Sequence, residues 1–217
     1  DDISIDLTGY FRDIRNLAGT RADEIRLFGG AGRYSQYVNS DFGFVKGIVL
    51  TLSKRFSNNW SATIDYTLQS AKGNASDPAA TRNQLASGQL PEIQLIRLSQ
   101  DQTHTLNVTF SYSSQDNWGF SLIGQYGSGF PYTPSQSLNL SALLTNSELK
   151  PTTYTVDLRA YKDIVFGSLK LSLFMRVFNL LDIRSEYNVY NDSGTADFTL
   201  SEYLFRQREI DEVLRKY

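Results

Sequence analysis

Hydrophobic and polar residues alternate along this chain in runs that are long for an ordinary strand. Ile3, Ile5, Leu7, Gly9 and Phe11 fall on one face, and Ser4, Asp6, Thr8, Tyr10 and Arg12 on the other. Trp60, Ala62, Ile64, Tyr66 and Leu68 oppose Ser61, Thr63, Asp65, Thr67 and Gln69. A two-residue period marks a pleated strand with one dry face and one wet face. The pattern predicts strands near residues 3–15, 42–56, 60–71, 103–113, 118–128, 153–164 and 169–180, with a shorter eighth near 187–191. Lys46 and Lys54 interrupt the dry face of the second run. Lys54 lies near its end, where the stem can follow apolar surface while the ammonium stays wet. Runs of about 10–14 residues exceed the ~5–6 usual in soluble sheets. They meet the ~9–11 residues that a tilted strand needs to cross a bilayer.

The connections alternate in length. Short ones fall at Ser57-Asn58-Asn59, Ser114-Gln115-Asp116-Asn117 and Val165-Phe166-Gly167-Ser168. Long ones span about 16–41, 72–102 and 130–151. In an up-and-down sheet alternate connections lie at opposite ends, so one rim is short and the other long. Outer-membrane barrels have this asymmetry, with short periplasmic turns and long extracellular loops. Phe56, Trp60, Tyr112, Trp118 and Phe166 flank the short turns; Phe11, Phe42, Phe44, Tyr66, Tyr126, Tyr154 and Tyr187 lie toward the long loops. Trp60 to Tyr66 and Trp118 to Tyr126 cover roughly 20–26 Å of strand, close to an apolar band of ~25 Å between two aromatic girdles. A soluble sandwich also alternates, but it predicts neither the strand length nor the two rims.

Composition removes other classes. The chain has 21 basic and 23 acidic residues, net −2, so no basic excess exists to displace phosphate counterions from nucleic acid. It has no Cys and one His, which excludes thiol chemistry and leaves little for a metal site. No apolar run is long enough for a membrane helix. The sequence opens inside a strand pattern without a leader, as expected of a piece of a longer chain.

Three stretches carry a resemblance. They are Tyr37-Val38-Asn39-Ser40-Asp41 with Lys46-Gly47-Ile48; Tyr126-Gly127-Ser128-Gly129-Phe130-Pro131-Tyr132; and Val177-Phe178-Asn179-Leu180-Leu181-Asp182 followed by Tyr187-Asn188-Val189-Tyr190 and Gly194. In order and spacing they resemble the barrel of TonB-dependent outer-membrane receptors. The resemblance implies an all-β fold: a segment of an antiparallel up-and-down transmembrane β-barrel, with seven or eight long strands from the C-terminal third of a barrel of about 22. Residues 1–217 would be a partial barrel domain. It also implies a Gram-negative outer membrane and import of a siderophore, cobalamin, glycan or peptide. The implied partners are outer-membrane lipid, the receptor's own N-terminal plug, TonB acting through that plug, and a ligand at the outer loops. No cofactor, metal or enzymatic activity is implied. Two features depart from the family: no plug or TonB-contacting segment is present, and residues 201–217 read as a charged helix, with Thr199 and Glu202 at capping-box spacing. A passive porin-like channel or structural barrel is the alternative, and a barrel hydrolase a more distant one.

Candidate chemistry is sparse. His104 lies near Ser99 and Asp101, but a triad is a spatial arrangement and this spacing fits a rim histidine better. Asn188, Asn191, Asp192 and Gly194 read as a turn before a calcium loop. Asp65, Asp157, Arg159, Asp163, Lys170 and Arg176 fall on the polar face, where pairing with neighbouring strands is the first expectation. Phe130, Tyr132, Gln94 and Arg97 are the ligand-contact candidates, because binding residues concentrate on loops held by rigid scaffolds.

Overall fold

The computed structural model describes residues 2–21, 25–26, 32–86, 88, 95–135 and 145–214. In chain order the elements are β1 (Ile3–Thr20), β2 (Ile25–Arg26), β3 (Arg33–Tyr34), β4 (Tyr37–Ser57), β5 (Trp60–Gly73), α1 (Ala80–Ala86), β6 (Ile96–Arg97), β7 (His104–Ser114), β8 (Trp118–Gly127), β9 (Pro131–Tyr132), β10 (Glu148–Leu149), β11 (Thr153–Phe166), β12 (Leu169–Val177) and α2 (Leu200–Leu214). Seven long strands form an antiparallel sheet ordered β1-β4-β5-β7-β8-β11-β12, and β6 adds to β5. Each long strand pairs with its sequence neighbours, and the path does not close on itself.

The register lines up the two faces across the sheet. Ile5, Leu52, Ile64, Val108, Gly124 and Val156 are successive cross-strand partners. One residue along, the partners are Asp6, Thr51, Asp65, Asn107, Gln125 and Thr155. Directly paired residues project to the same side, so one face is dry and the other wet over the breadth of the wall. Among the described residues no second layer covers the dry face. Among the described residues the buried hydrophobics are Ala71, Ile96 and Leu98, all near the long loops, whereas Ile5, Leu7, Ile48 and Leu171 are exposed. Trp60, Leu106, Phe110, Leu122, Val156 and Leu158 are half-buried, screened by neighbouring strands. A soluble sandwich would bury these residues against a facing sheet.

The short turns follow from their residues. Asn58 and Asn59 have φ of 51° and 72°, Asn117 has 60° and Gly167 has 59°. Hairpin turns that match strand twist need positive φ, which Asn and Gly supply at least cost. Aromatics pack along this rim: Trp60 on Phe110, Phe120 on Phe110, and Tyr112 on both Trp118 and Phe120. Lys54 bends its ammonium to the carbonyls of Ser57 and Trp60, at 3.0 and 3.1 Å, and over the Trp60 ring.

On the polar face two tyrosines lie across glycines. Tyr10 crosses Gly47 and Tyr161 crosses Gly119, each its direct cross-strand partner. A Cβ at either glycine would fall within 2.7 Å of a tyrosine ring atom. The bare backbone therefore seats the ring flat, and Tyr10 Oη donates to Gln69 at 3.0 Å.

Two expectations change. Residues 187–191 form no strand. Their backbone bonds are local or go to a loop: Tyr190 N–H donates to Thr195 O, Gly194 N–H to Tyr190 O, and Ser135 N–H to Asn191 O. Val189 and Tyr190 are adjacent rather than alternate, and Asn191-Asp192-Ser193-Gly194 favours turns. The first hairpin is longer than predicted, running to Thr20 and from Tyr37, with a shift in register around Asn16. The helix begins at Leu200: Thr199 Oγ1 accepts from Glu202 N–H at 3.0 Å, and Asp192 accepts from Leu200 and Ser201. Glu202 turns to Arg206 rather than back to the cap.

Candidate functional site at the long-loop rim

The long connections are fastened to the wall and to each other by buried polar side chains. Asp101 is 2% exposed, and its carboxylate accepts from Ala71 N–H at 2.8 Å. Ala71 lies where β5 runs past the start of β7, so Asp101 supplies the acceptor that a strand would have supplied. Asp41 accepts from Asn74 Nδ2 at 3.0 Å, while Asn74 Oδ1 accepts from Phe42 N–H at 2.8 Å. Asn146 connects two loops. Its Nδ2 donates to Ser76 Oγ at 3.0 Å and Arg97 O at 2.8 Å, and its N–H donates to Thr133 Oγ1. Lys150 Nζ donates to Tyr187 O at 2.9 Å, tying in the segment after β12.

The predicted ligand contacts occupy separate places on this rim. Arg97 lies in β6, directly opposite Lys72. Phe130 is half-open to solvent at 37%, and its carbonyl accepts from Lys150 N–H. Tyr132 pairs with Glu148. Burial, and then the Glu148 carboxylate, push its phenol above the ordinary tyrosine value. Gln94 lies outside the described residues. Asn146 joins the two loops, and the cleft that Arg97 lines with Lys72 and Asn146 includes neither Phe130 nor Tyr132.

Sequence reasoning missed a cleft of about 230 Å³ below the loops, lined by Gln102, Thr105, Asn107, Gln125, Thr153 and Thr155 together with Tyr154 and Tyr187. Its wall is uncharged amide and hydroxyl, suited to hydrogen bonding a neutral polar solute. Alternation assigns Asn107 and Gln125 to the polar face, but only the register makes them partners.

Other candidates are engaged elsewhere. His104 Nδ1 meets Tyr66 Oη at 2.8 Å, Asp101 holds Ala71, and Ser99 Oγ donates to Gln100, so the three do not form a relay. Asp192 caps α2. On the polar face, Asp65 accepts from Thr51 at 2.7 Å, and Lys170 pairs with Asp163 at 2.8 Å. Asp157 accepts from Asn179 N–H at 2.9 Å. Arg159 and Arg176 instead stand opposite each other. Asn179 also closes the exit turn, accepting from Ile183 N–H at 3.1 Å and donating to Ile183 O at 3.0 Å.

Comparison with curated proteins finds no match, and neither does comparison with solved structures. A family model does match: residues 1–180 fit the one described as TonB dependent receptor-like, beta-barrel, which covers all seven long strands and stops just beyond Asn179. An open antiparallel wall, dry on one face, wet on the other and surmounted by interlocked long loops, belongs to the barrel of the TonB-dependent receptor family.

Proposed function

We propose that this chain supplies wall and outer loops to an active importer of a scarce ligand, with the lumen gated by a plug on another part of the receptor. The family carries out TonB-dependent transport at the Gram-negative outer membrane. The observation that carries the reading for this chain is the fastening of its long loops at the rim. Asp101 holds the 72–102 loop to Ala71, and Asn146 holds the 130–151 loop to Ser76 and Arg97. Loops braced in this way can present ligand contacts at the mouth, whereas a passive pore calls for a loop folded into the lumen.

Phe130 and Tyr132 are the ligand contacts we favour, with the amide cleft of Gln102, Asn107 and Gln125 as the next stage inward. The opposed Arg159 and Arg176 have no carboxylate in ion-pair reach among the described residues. Like charges in that position are unfavourable. An acidic group of the plug, or of a passing solute, would relieve the pair.

The test is ligand binding and TonB-dependent uptake in cells with equal outer-membrane levels of receptor. Deleting residues 72–102 or 130–151 should lower binding while the barrel still folds. Unaltered binding after both deletions would leave this segment a scaffold only. Uptake that persists without TonB would favour the porin reading.

A further inference from the structure

No charged side chain lines the cleft below the loops, and several of its polar groups are unspent. Thr105, Asn107, Gln125, Thr153 and Thr155 share one parity, and pairing puts them on the polar face with Asp65. Tyr126 and Tyr154 have the other parity and are partners on the dry face, so their backbone alone borders the cleft. Gln102 is already engaged. Its Nε2 donates to Ser128 O at 3.0 Å, and its Oε1 accepts from Thr105 Oγ1 at 3.4 Å. It lies on Gly127, where a Cβ would strike its amide. Asn107 and Gln125 differ. They are direct cross-strand partners, both are exposed, and among the described residues neither carboxamide has a hydrogen bond. The same holds for the hydroxyls of Thr153 and Thr155. Two amides and two hydroxyls therefore border one cleft with their donors and acceptors free.

The chemistry of these groups selects the ligand. A carboxamide holds an acceptor and a donor side by side, which match two hydroxyls on adjacent carbons. A solute dense in neutral hydroxyls satisfies the most of them at once. Tyr187 adds a flat apolar surface. It is 67% exposed, no other ring stacks on it among the described residues, and Lys150 fixes its backbone through the carbonyl at 2.9 Å. Such a ring can pack on the C–H face of a sugar while its hydroxyl stays wet. Charge argues the same way. By register the neighbouring carboxylates are Asp65, opposite Asn107, and Asp157, two residues beyond Thr155, and they accept from Thr51 and from Asn179 N–H. Arg159, the first cation along β11, is four residues past Thr155, roughly 13 Å of strand. A multiply anionic ligand would enter this cleft without a counter-charge on its wall. We infer that the cleft, of about 230 Å³, is a subsite for one ring of a neutral saccharide, with Asn107 and Gln125 gripping adjacent hydroxyls and Tyr187 stacked at the mouth. The inference rests on the importer reading above, in which ligand passes from the loops down the polar face.

The experiment uses the full-length receptor in nanodiscs, titrated with maltohexaose, cellohexaose, xylohexaose and mannohexaose. Affinity is read by isothermal titration calorimetry. At least one of the four should bind. Asn107→Leu/Gln125→Met should bind it roughly thirtyfold more weakly, about five- to sixfold for each lost amide. Both replacements are close in size to the originals and leave the strand pairing intact. Tyr187→Ala should weaken binding about fivefold, whereas Tyr187→Phe keeps the ring and should change little. Lys170→Gln, elsewhere on the polar face, should bind as the unaltered receptor does. Hexagalacturonate, which carries a carboxylate on every ring, should bind at least about fivefold more weakly than the best neutral hexasaccharide. A receptor that binds none of the four overturns the inference, and so does a folded double variant that keeps its affinity. Hexaglycine bound as tightly as the best saccharide, and lost in the same variant, would also overturn it by marking a peptide cleft. Uptake is measured in parallel. Saccharide that needs Asn107 and Gln125 to bind yet enters without TonB strikes the importer reading and leaves this one standing. TonB-dependent import of another ligand, with no saccharide bound, does the reverse.

Discussion

Single residues one step apart in this wall face different media, and the cost of a charge should differ accordingly. Ile64 faces the dry side at mid-strand between Leu52 and Val108, and Thr63 faces the wet side between Ser53 and Thr109. Ile64→Arg should destabilise by ~2–4 kcal/mol if it lies near the midplane, and Thr63→Arg by less than ~1 kcal/mol. Urea unfolding from vesicles measures both, and equal costs would deny the lipid-facing assignment. Asn179 adopts φ of 50° and makes two side-chain bonds to Ile183. Asn179→Ala forfeits both bonds and strains the left-handed backbone, for an expected loss of about 1–3 kcal/mol in the same assay. Tyr132 tests the rim. Its phenol is raised by burial, then by Glu148, so the folded loop favours the neutral form. That contribution is complete below the ordinary value near ~10 and is lost as pH rises through the folded value. A difference titration of phenolate absorbance against Tyr132→Phe should show a late-ionising tyrosine; ionisation at the ordinary value would mean that the loop is open.

At the scale of elements, the short hairpins hold more of the wall than their own two strands. The carbonyl of Asn59 accepts from Ser113 N–H, and that of Asn117 from Asp163 N–H, both at 2.8 Å, so each turn reaches the next strand. Asn59→Gly keeps that carbonyl and eases a φ of 72°. It should stabilise by a few tenths of a kcal/mol, at most about 1; a lower unfolding midpoint would mean that the Asn59 side chain has a role the turn geometry does not give it. These turns, the seven long strands and their facing were legible because alternation persists wherever one face is dry. The ends were not. Beyond Ile14 the alternation in β1 lapses, yet pairing continues to Thr20 and Tyr37 without a pattern to announce it. Tyr187 and Val189 imitated alternation, and only the turn residues after them argued otherwise. The rim was less legible still. Asp101 and Asn146 read as ordinary loop polar residues, because their burial depends on partners 30 and 70 residues away in sequence. Arg97 was named as a candidate, but its pairing with Lys72 rests on a two-residue strand too short to show a period.

For the whole molecule, the two tryptophans give the wall a depth scale. Both lie at the short-turn end, Trp60 against Phe110 and beneath the Lys54 ammonium, Trp118 against Tyr112 and Phe120. An indole at an interface keeps its ring in apolar surroundings and its N–H near water. In a receptor carrying tryptophan at these two positions alone, lipids brominated near the headgroup should quench fluorescence more strongly than lipids brominated near the chain end. Moving the reporter to Ile64, with Phe at 60 and 118, advances it four residues along β5. That is roughly 13 Å of strand, about half of an apolar band of ~25 Å before tilt shortens it. The order of quenching should then reverse, with the deepest bromines acting most strongly. A further step to Tyr66 and then Lys72 should restore shallow quenching, now from the opposite leaflet. A wall lying flat on the bilayer, or packed against a second sheet, would give one depth for all four positions. Only a strand that crosses from the short turns to the long loops gives shallow, deep and shallow again along a single run of alternating residues.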